Sequence, residues 1–233
     1  MESVGSYVRR YSLDSLLSAD LVKMLQPLRR EPGELIIGAG DPVRDLLFFV
    51  KGRIKIYTTM ENGQRLLAAI SKPFDVLGEV ELFTSERYTL SVEALTETVC
   101  LALSVAAIRR NAERNVRLFM YLCGRLGAKL RDRIIAESIN LRYPVENRLA
   151  SYLLASTDGE GWILGTDDLG ELADYLGSSY RQLARIVRRF RDAGILDRTR
   201  GRIRVVSRPK LRPLAGDLYV HTGSQLRPIE ISR

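Results

Sequence analysis

The sequence predicts an α+β fold: an N-terminal jelly-roll barrel (a double-stranded β-helix), a long dimerisation helix and a C-terminal winged helix-turn-helix domain. Short β-rich runs between turn residues fill residues 30–103, apolar residues then recur at helical spacing, and a basic patch ends the pattern. With 45% apolar residues among 233, the chain can bury a core in each of two domains.

The predicted barrel strands are short runs bounded by Gly, Pro, Asn or Asp. They are ELII, DLLFFV, RIKIYTT, RLLAAI, DVLG, TLSVEAL and TVCLAL. Evenly spaced short strands with glycine corners are typical of a barrel or jelly roll. Apolar and polar residues alternate over residues 53–57, which fits a strand with one buried and one wet face.

A helical pattern begins at Ser104, a predicted N-cap, and leads into a long helix predicted over about residues 113–140. Its apolar residues recur at intervals of three and four. This seam consists of Val116, Phe119, Met120, Cys123, Leu126, Leu130 and Ile134. The seam predicts a parallel homodimer, and the alternative is a helix buried only against its own domain.

A second domain is predicted to begin after residue 140, near Pro144. The predicted units are residues 1–140, residues 141–215 and a tail of residues 216–233. Thr166 is the predicted N-cap of a helix that ends at Gly177, and Ser178 is the predicted cap of a second helix over residues 178–192. Two helices joined by a tight Gly-Ser turn indicate a helix-turn-helix motif.

The second of these helices combines a face that must be buried with a cationic face. The buried face holds Leu183, Ile186, Val187 and Phe190. The residues predicted to face DNA are Ser179, Tyr180, Arg181, Gln182, Arg185, Arg188 and Arg189. Arginine can pair with guanine or clamp phosphates, and glutamine can pair with adenine.

After this helix, two short strands are predicted to turn at Arg200-Gly201 and form a wing. Arg200 and Arg202 are expected to meet backbone phosphates. The net charge is +8, and residues 181–212 hold twelve Lys and Arg against two acidic residues, whereas residues 1–140 hold 20 against 17. This concentration favours a nucleic-acid partner, and the alternative is a solvated charged face.

Other function classes find little support. No stretch has the roughly 18 consecutive apolar residues that span a bilayer, and the start lacks a signal-peptide pattern, so a cytoplasmic protein without a membrane partner is predicted. No enzyme is predicted, because GxSxG, HExxH and Walker motifs are missing and the only histidine is His221 in the predicted tail. Cys100 and Cys123 give neither a disulfide framework nor metal-ligand spacing, so no metal is predicted.

The order of parts resembles the Crp/Fnr family of bacterial transcription regulators, whose barrel is of the cyclic-nucleotide-binding type. The stretches PGELIIGAGDPVRDLLFFVKGRIKIY (32–57), LGEVELF (77–83) and LGELADYLGSSYRQLARIVRRF (169–190) carry the resemblance. It implies a homodimer that binds a palindromic operator in double-stranded DNA, with an effector signal relayed from the barrel through the long helix. RNA polymerase is left open as a further partner.

The resemblance also places Ser179, Tyr180, Arg181 and Arg185 at the base-contacting positions. Tyr180 and Arg181 stand where cyclic AMP receptor-like members have Arg and Glu, whereas Arg185 matches. Exchanging an acceptor for an arginine changes which base edge can be read. We therefore expect an operator that differs from the cyclic AMP receptor consensus.

The effector-pocket candidates that the resemblance implies are Gly78, Glu79, Tyr88, Thr89 and Arg133. Gly78 and Glu79 match the nucleotide-binding motif, in which the glutamate takes the ribose hydroxyl. Tyr88 replaces the phosphate-binding arginine unless Arg87 takes that role, and Thr89 stands at the hydroxyl position. The remaining departures are Glu81 in place of a small residue and Arg133-Ile134 in place of an adenine-contacting Thr-Ser pair. They disfavour a cyclic nucleotide and leave Gly78 and Glu79 to shape the barrel turn.

No cofactor is predicted. An iron-sulfur cluster needs about four cysteines and haem-binding members commonly use histidine, so the residue counts disfavour both, although a cluster shared across a dimer stays open. The effector is an unknown small molecule, a redox signal or absent. The alternative function is a ligand-sensing protein with a degenerate pocket that acts through constitutive DNA binding or protein contacts.

Overall fold

The computed structural model describes residues 2–61, 63, 65–84, 87–110, 115–163, 168–199, 202–216, 218–222 and 225–228. The chain divides into two compact units. The first comprises Met1–Thr58 and Ser71–Leu130, and the second comprises Thr59–Ile70 and Arg131–Arg233.

The first unit opens with three short helices, α1 (Val4–Arg10), α2 (Leu13–Leu16) and α3 (Ala19–Lys23). The side chains of Ser3 and Ser18 cap α1 and α3 by accepting hydrogen bonds from backbone N–H groups. The strands of this unit are β1 (Gln26–Arg30), β2 (Leu35–Ile37), β3 (Asp45–Lys51), β4 (Ile54–Thr59), β6 (Asp75–Leu77), β7 (Ser91–Ala94) and β8 (Thr98–Ser104). Strand β5 (Arg65–Ser71) follows β4 along the chain and belongs, except for its last residue, to the second unit. Helix α4 (Glu79–Thr84) lies between β6 and β7.

The strands of the first unit form the predicted jelly-roll barrel. One antiparallel sheet has the order β1-β8-β3-β6. In the other, β7 pairs with both β4 and β2. Strand β3 explains why the run LLFFV is continuously apolar: Leu47 and Phe49 face the barrel interior, while Leu46 and Phe48 pack against the helices.

The barrel leads into helix α5 (Val105–Arg110) and the long helix α6 (Val116–Arg142), which contributes residues to both units. Leu118 and Leu122 of α6 are fully buried in the core of the first unit. On the predicted seam, Val116, Met120 and Leu130 are 59%, 69% and 63% exposed. These three side chains are therefore not covered by the described residues of the chain.

The second unit contains helices α7 (Val145–Ser156), α8 (Leu169–Tyr175), α9 (Tyr180–Asp192) and α10 (Arg208–Ala215). Its strands after α9 are β9 (Leu196–Thr199), β10 (Arg202–Val205), β11 (Tyr219–Thr222) and β12 (Gln225–Pro228). Its core joins all four helices and the β9-β10 hairpin, with Leu149, Leu172, Leu183 and Leu211 each fully buried. This is the predicted winged helix-turn-helix domain.

Two predicted helix starts differ from the structure or fall outside it. The prediction that Ser178 caps the second helix was wrong by one residue: Ser179 is the N-cap, its hydroxyl accepts the N–H of Gln182, and the helix begins at Tyr180. Ser178 instead belongs to the preceding turn. The predicted cap Thr166 lies outside the described residues, and Asp168 caps α8 by accepting the N–H groups of Gly170 and Glu171.

Within the part of the chain that the structure describes, no helix combines the length and apolar character needed to cross a membrane. The same residues contain no group of three or more His, Cys, Asp or Glu side chains that could hold a metal ion.

Candidate DNA-reading surface and effector turn

The turn between α8 and α9 is a Schellman motif. The N–H of Gly177 donates to the carbonyl of Asp174 at 3.0 Å, and the N–H of Ser178 donates to that of Ala173 at 2.8 Å. Gly177 has φ +58°, and a Cβ there would lie 3.3 Å from atoms of Arg148 and Asn140. Glycine therefore satisfies both the backbone and the packing at this turn.

Arg148 of α7 fixes this turn from inside the domain. Its buried guanidinium donates to the carbonyl of Leu176, to Oδ1 of Asn140 at 2.9 Å and to the carbonyl of Tyr143 at 3.0 Å. These acceptors belong to the end of α8, to α6 and to the residue before Pro144. The helix-turn-helix is thus held at the point where α9 begins.

Helix α9 separates its apolar and cationic faces as predicted. Leu183, Ile186, Val187 and Phe190 are buried, whereas the candidates Ser179, Tyr180, Arg181, Gln182, Arg185, Arg188 and Arg189 are exposed. Two of the arginines have carboxylate partners: Arg189 lies 2.8 Å from Glu146, and Arg188 lies 3.9 Å from Asp192. Among the described residues, no carboxylate forms an ion pair with Arg181 or Arg185, which lie one turn apart.

The wing is the antiparallel pair β9-β10. Along β10, Ile203 and Val205 are buried, and Arg202 and Arg204 are exposed. Arg200 lies outside the described residues. Arg204 was not among the predicted DNA contacts, although the alternation in Arg-Ile-Arg-Val places it on the same face as Arg202.

The predicted effector turn, of which residues 77–84 and 87–89 are described, is filled by side chains of the protein itself. Gly78 has φ +84°, and a Cβ there would lie 3.1 Å from Cε1 of Tyr88. The Tyr88 hydroxyl donates to the carbonyl of Asp45 at 2.6 Å, and burial raises the pKa of this tyrosine. The side chain at the position of the phosphate-binding arginine is therefore a packed and hydrogen-bonded part of the barrel.

The neighbouring residues Arg87 and Thr89 form hydrogen bonds within the barrel. Arg87 donates to the carbonyl of Gly40 at 2.6 Å. Glu81, a buried residue, accepts hydrogen bonds from the N–H of Thr89 at 3.1 Å and from its hydroxyl. Thr89 and Glu81 are thus joined by two hydrogen bonds.

Glu79 lies in a buried ionic cluster that was not predicted from the sequence. The Lys129 ammonium contacts Oε1 of Glu79 at 2.5 Å, Oδ1 of Asp75 at 3.1 Å and the carbonyl of Val76 at 3.0 Å. A lysine ammonium has three N–H donors, so these acceptors use all of them. The Asp75 carboxylate also accepts hydrogen bonds from the Arg125 guanidinium at 2.7 Å and from the Ser71 hydroxyl at 3.1 Å.

The cluster balances two carboxylates with two cations in a largely buried site. Burial raises the pKa of Glu79 despite the contact with Lys129. Burial would also raise the pKa of Asp75, but Lys129 and Arg125 hold it below its usual value. Burial opposes the charge on Lys129, yet Asp75 and Glu79 outweigh it and raise its pKa. Because Asp75 and Lys129 are distant in sequence, only the spacing of Arg125 and Lys129 on one helix face could have hinted at them.

Arg133, the last effector-pocket candidate, lies on the part of α6 that belongs to the second unit. Its side chain is exposed and lies 3.5 Å from Glu137 on the same helix. Cys100 is buried in β8, and burial raises the pKa of its thiol to about 12, whereas Cys123 is exposed on α6. The side chain of His221 lies outside the described part of the chain.

Comparison with known proteins identifies both domains. Residues 27–115 match the model of the cyclic nucleotide-binding domain, and residues 147–214 match that of the Crp-like helix-turn-helix domain. Regulatory protein YeiL of Escherichia coli O157:H7 is 29% identical over 182 residues, which cover 78% of this chain and 82% of YeiL. A CRP-like cAMP-activated global transcriptional regulator of Mycobacterium tuberculosis is 27% identical over 175 residues, covering 69% of this chain and 75% of that protein.

A solved structure shares the fold. A transcriptional regulator of the CRP family from Thermus thermophilus superimposes with a TM-score of 0.66 at 22% identity, covering 81% of this chain and 96% of that one. A barrel like the cyclic nucleotide-binding domain, followed by a long helix and a helix-turn-helix, defines a DNA-binding transcription regulator. The chain belongs to the Crp/Fnr family of such regulators.

Proposed function

We propose that the protein acts as a homodimer on a palindromic operator in double-stranded DNA, which it reads with the exposed face of α9. The observation that carries this proposal is the pair Arg181 and Arg185, exposed one turn apart on a helix whose other face is buried. Such stacked cations repel each other, and a polyanion relieves that repulsion. In this arrangement Arg200 and Arg202 of the wing contact backbone phosphates.

The proposal assigns residues 1–140 to sensing and dimerisation, residues 141–215 to DNA binding and residues 216–233 to a tail. The exposed apolar stripe of α6 supports the dimer, because a parallel second copy would remove Val116, Met120 and Leu130 from water. Cys123 lies on the same stripe and is exposed. The remaining seam residues, Phe119, Leu126 and Ile134, are partly buried or exposed in the single chain.

Selection of bound duplexes from random DNA tests the proposal. We expect an enriched palindrome with half-sites about one helical turn apart, as for other dimeric helix-turn-helix proteins. Absence of any enriched sequence would refute sequence-specific binding. Recovery of the unchanged cyclic AMP receptor consensus would refute only the assignment of Tyr180 and Arg181 as readers of a different base.

A second candidate function is a regulator that binds its operator without a cyclic nucleotide, and the Lys129 cluster favours it. The residues present do not fit that ligand: Glu79, which would take the ribose hydroxyl, already holds Lys129, and Tyr88 fills the position of the phosphate-binding arginine. Bringing an anionic phosphate next to the buried Glu81 adds an unfavourable charge contact.

Three measurements separate ligand-free from nucleotide-dependent binding. Calorimetric titration with cyclic AMP is expected to give no saturable heat, and operator affinity measured by fluorescence anisotropy is expected to be the same with and without the nucleotide. Native mass spectrometry of gently purified protein is expected to give the mass of the bare dimer. One bound nucleotide per chain would overturn the ligand-free proposal, and another bound metabolite would identify an effector of a different class.

A further inference from the structure

Trp162, the only tryptophan in the chain, lies against the wing. It pairs with Arg204 of β10 as an antiparallel bridge. On either side, the N–H of Ile163 donates to the carbonyl of Ile203 at 3.3 Å, and the N–H of Val205 donates to that of Gly161 at 2.8 Å. The segment 161–163 therefore extends the two-stranded wing along its β10 edge.

Both arginines of β10 stack on this one ring. The guanidinium carbon of Arg202 lies 4.9 Å from the centroid of the Trp162 ring, and that of Arg204 lies 5.3 Å from it. Tryptophan is the best aromatic partner for a cation, because its ring face is the most electron-rich. Arg204 is further fixed by a hydrogen bond of 3.0 Å from its Nε to the carbonyl of Glu160.

The carboxylate that lies opposite Arg204 in the β9-β10 register accepts hydrogen bonds from residues of its own strand. That carboxylate belongs to Asp197. Its Oδ1 accepts the N–H of Arg198 at 2.7 Å, and its Oδ2 accepts the hydroxyl of Thr199 at 2.9 Å. Arg202 and Arg204 are both exposed, on the domain that also carries α9.

We propose that Trp162 is a positioning residue for DNA binding: it holds Arg202 and Arg204 side by side so that the wing grips backbone phosphates with two pre-ordered arginines. This inference rests on the proposed function and deepens it. Long arginine side chains lose rotamer freedom when they bind, and stacking on a rigid ring removes part of that freedom in advance. Because the two arginines contact phosphates and not bases, Trp162 contributes equally to the binding of all DNA sequences.

The test uses binding of the full-length protein to a random-sequence duplex, so that no operator is needed. Trp162→Leu is expected to weaken binding by roughly three- to ten-fold and to lower the steepness of the salt dependence by about one unit. Trp162→Phe keeps an aromatic face and is expected to recover most of the affinity. A residue that only fills space would leave the salt dependence unchanged.

A double-mutant cycle shows whether Trp162 acts through the arginines. In the Arg202→Ala/Arg204→Ala background, Trp162→Leu is expected to have no further effect, because the residues it positions are gone. An equal loss in both backgrounds would overturn the proposal, as would wild-type affinity of Trp162→Leu. If wild-type protein bound no duplex at all, the proposed function and this inference would both be overturned.

The unaltered protein provides a readout that does not depend on the folding of a variant. Because all tryptophan fluorescence comes from Trp162, collisional quenching by acrylamide reports on this ring alone. We expect saturating duplex DNA to reduce the quenching, since phosphates seated on Arg202 and Arg204 cover the ring edge. Unchanged quenching at saturation would place the DNA away from the wing and overturn the proposal.

Discussion

The ammonium nitrogen of Lys129 lies 2.5 Å from Oε1 of Glu79, so the long helix α6 is tied to the effector turn within a single chain. The glutamate is 3% exposed, and Asp75, which shares the same lysine, is fully buried. A buried carboxylate of this kind needs a countercharge. In this chain an internal lysine supplies it, so the charge of Glu79 is balanced by the protein itself.

Replacing Lys129 with methionine should destabilise the first unit. The change keeps most of the side-chain volume but leaves Glu79 without its cation, and breaking a buried ion pair from one side typically costs about 3 kcal/mol. Chemical unfolding followed by circular dichroism measures the loss. The matched control is Lys51→Met, which removes a cation 2.9 Å from Glu97 in an exposed pair and should change stability little. Equal losses in the two variants would show that the cluster is no stronger than a surface pair.

The stability of the first unit should also fall in acid because of Asp75. Its pKa in the folded chain is lowered, so its contribution is complete above the ordinary aspartate pKa and is lost as the pH falls through the lower folded value. Glu79 has a raised pKa, so its effect is opposite: the folded state gains stability as Glu79 takes up a proton. Asp75→Asn should therefore be less stable near pH 7 and show a shallower decline below about pH 4. Unfolding curves at a series of pH values measure both effects, and a parallel decline in the two proteins would contradict this account.

Gly177 should tolerate alanine poorly. The substitution forces a Cβ into a left-handed backbone and against Arg148 and Asn140, so we expect a loss of roughly 1 to 2 kcal/mol in the stability of the helix-turn-helix domain. Gly159→Ala is the control, because a Cβ at Gly159 meets nothing within 4 Å and its φ is not left-handed. Thermal unfolding distinguishes the two, and an unchanged midpoint for Gly177→Ala would refute the role given to this turn.

The seam of α6 should carry the dimer. Leu130 is 63% exposed in the single chain, so Leu130→Glu should leave the protomer folded while placing a carboxylate in the proposed interface. Sedimentation velocity should then show a lower apparent mass. Arg117→Glu introduces the same residue at an exposed position of α6 outside the seam and should leave the mass unchanged. A dimer that survives Leu130→Glu would refute the seam.

Local patterns predicted the elements better than the contacts between them. The spacing of Leu183, Ile186 and Val187 predicted the buried face of α9, because helix periodicity is a property of neighbouring residues. The cap was misplaced by one residue because Ser178 and Ser179 are chemically alike, and only the Schellman bonds decide between them. The ion pair of Asp75 with Lys129 depends on how α6 packs against the barrel, which periodicity does not encode.

The base-reading role of α9 predicts different behaviour for two arginines. Arg185→Ala should weaken binding to the selected operator by about 1 to 3 kcal/mol and leave binding to random DNA nearly unchanged, because a contact to a base edge is lost. Arg202→Ala on the wing should weaken binding to both DNAs alike and lower the salt dependence by about one unit, because a phosphate contact is lost. Fluorescence anisotropy over a range of salt concentrations separates these outcomes. Arg189→Ala is the control on α9. Because Arg189 pairs with Glu146, this variant should weaken operator binding less than Arg185→Ala does. If Arg185→Ala and Arg202→Ala had the same effect on operator and random DNA, α9 would not be the reading helix.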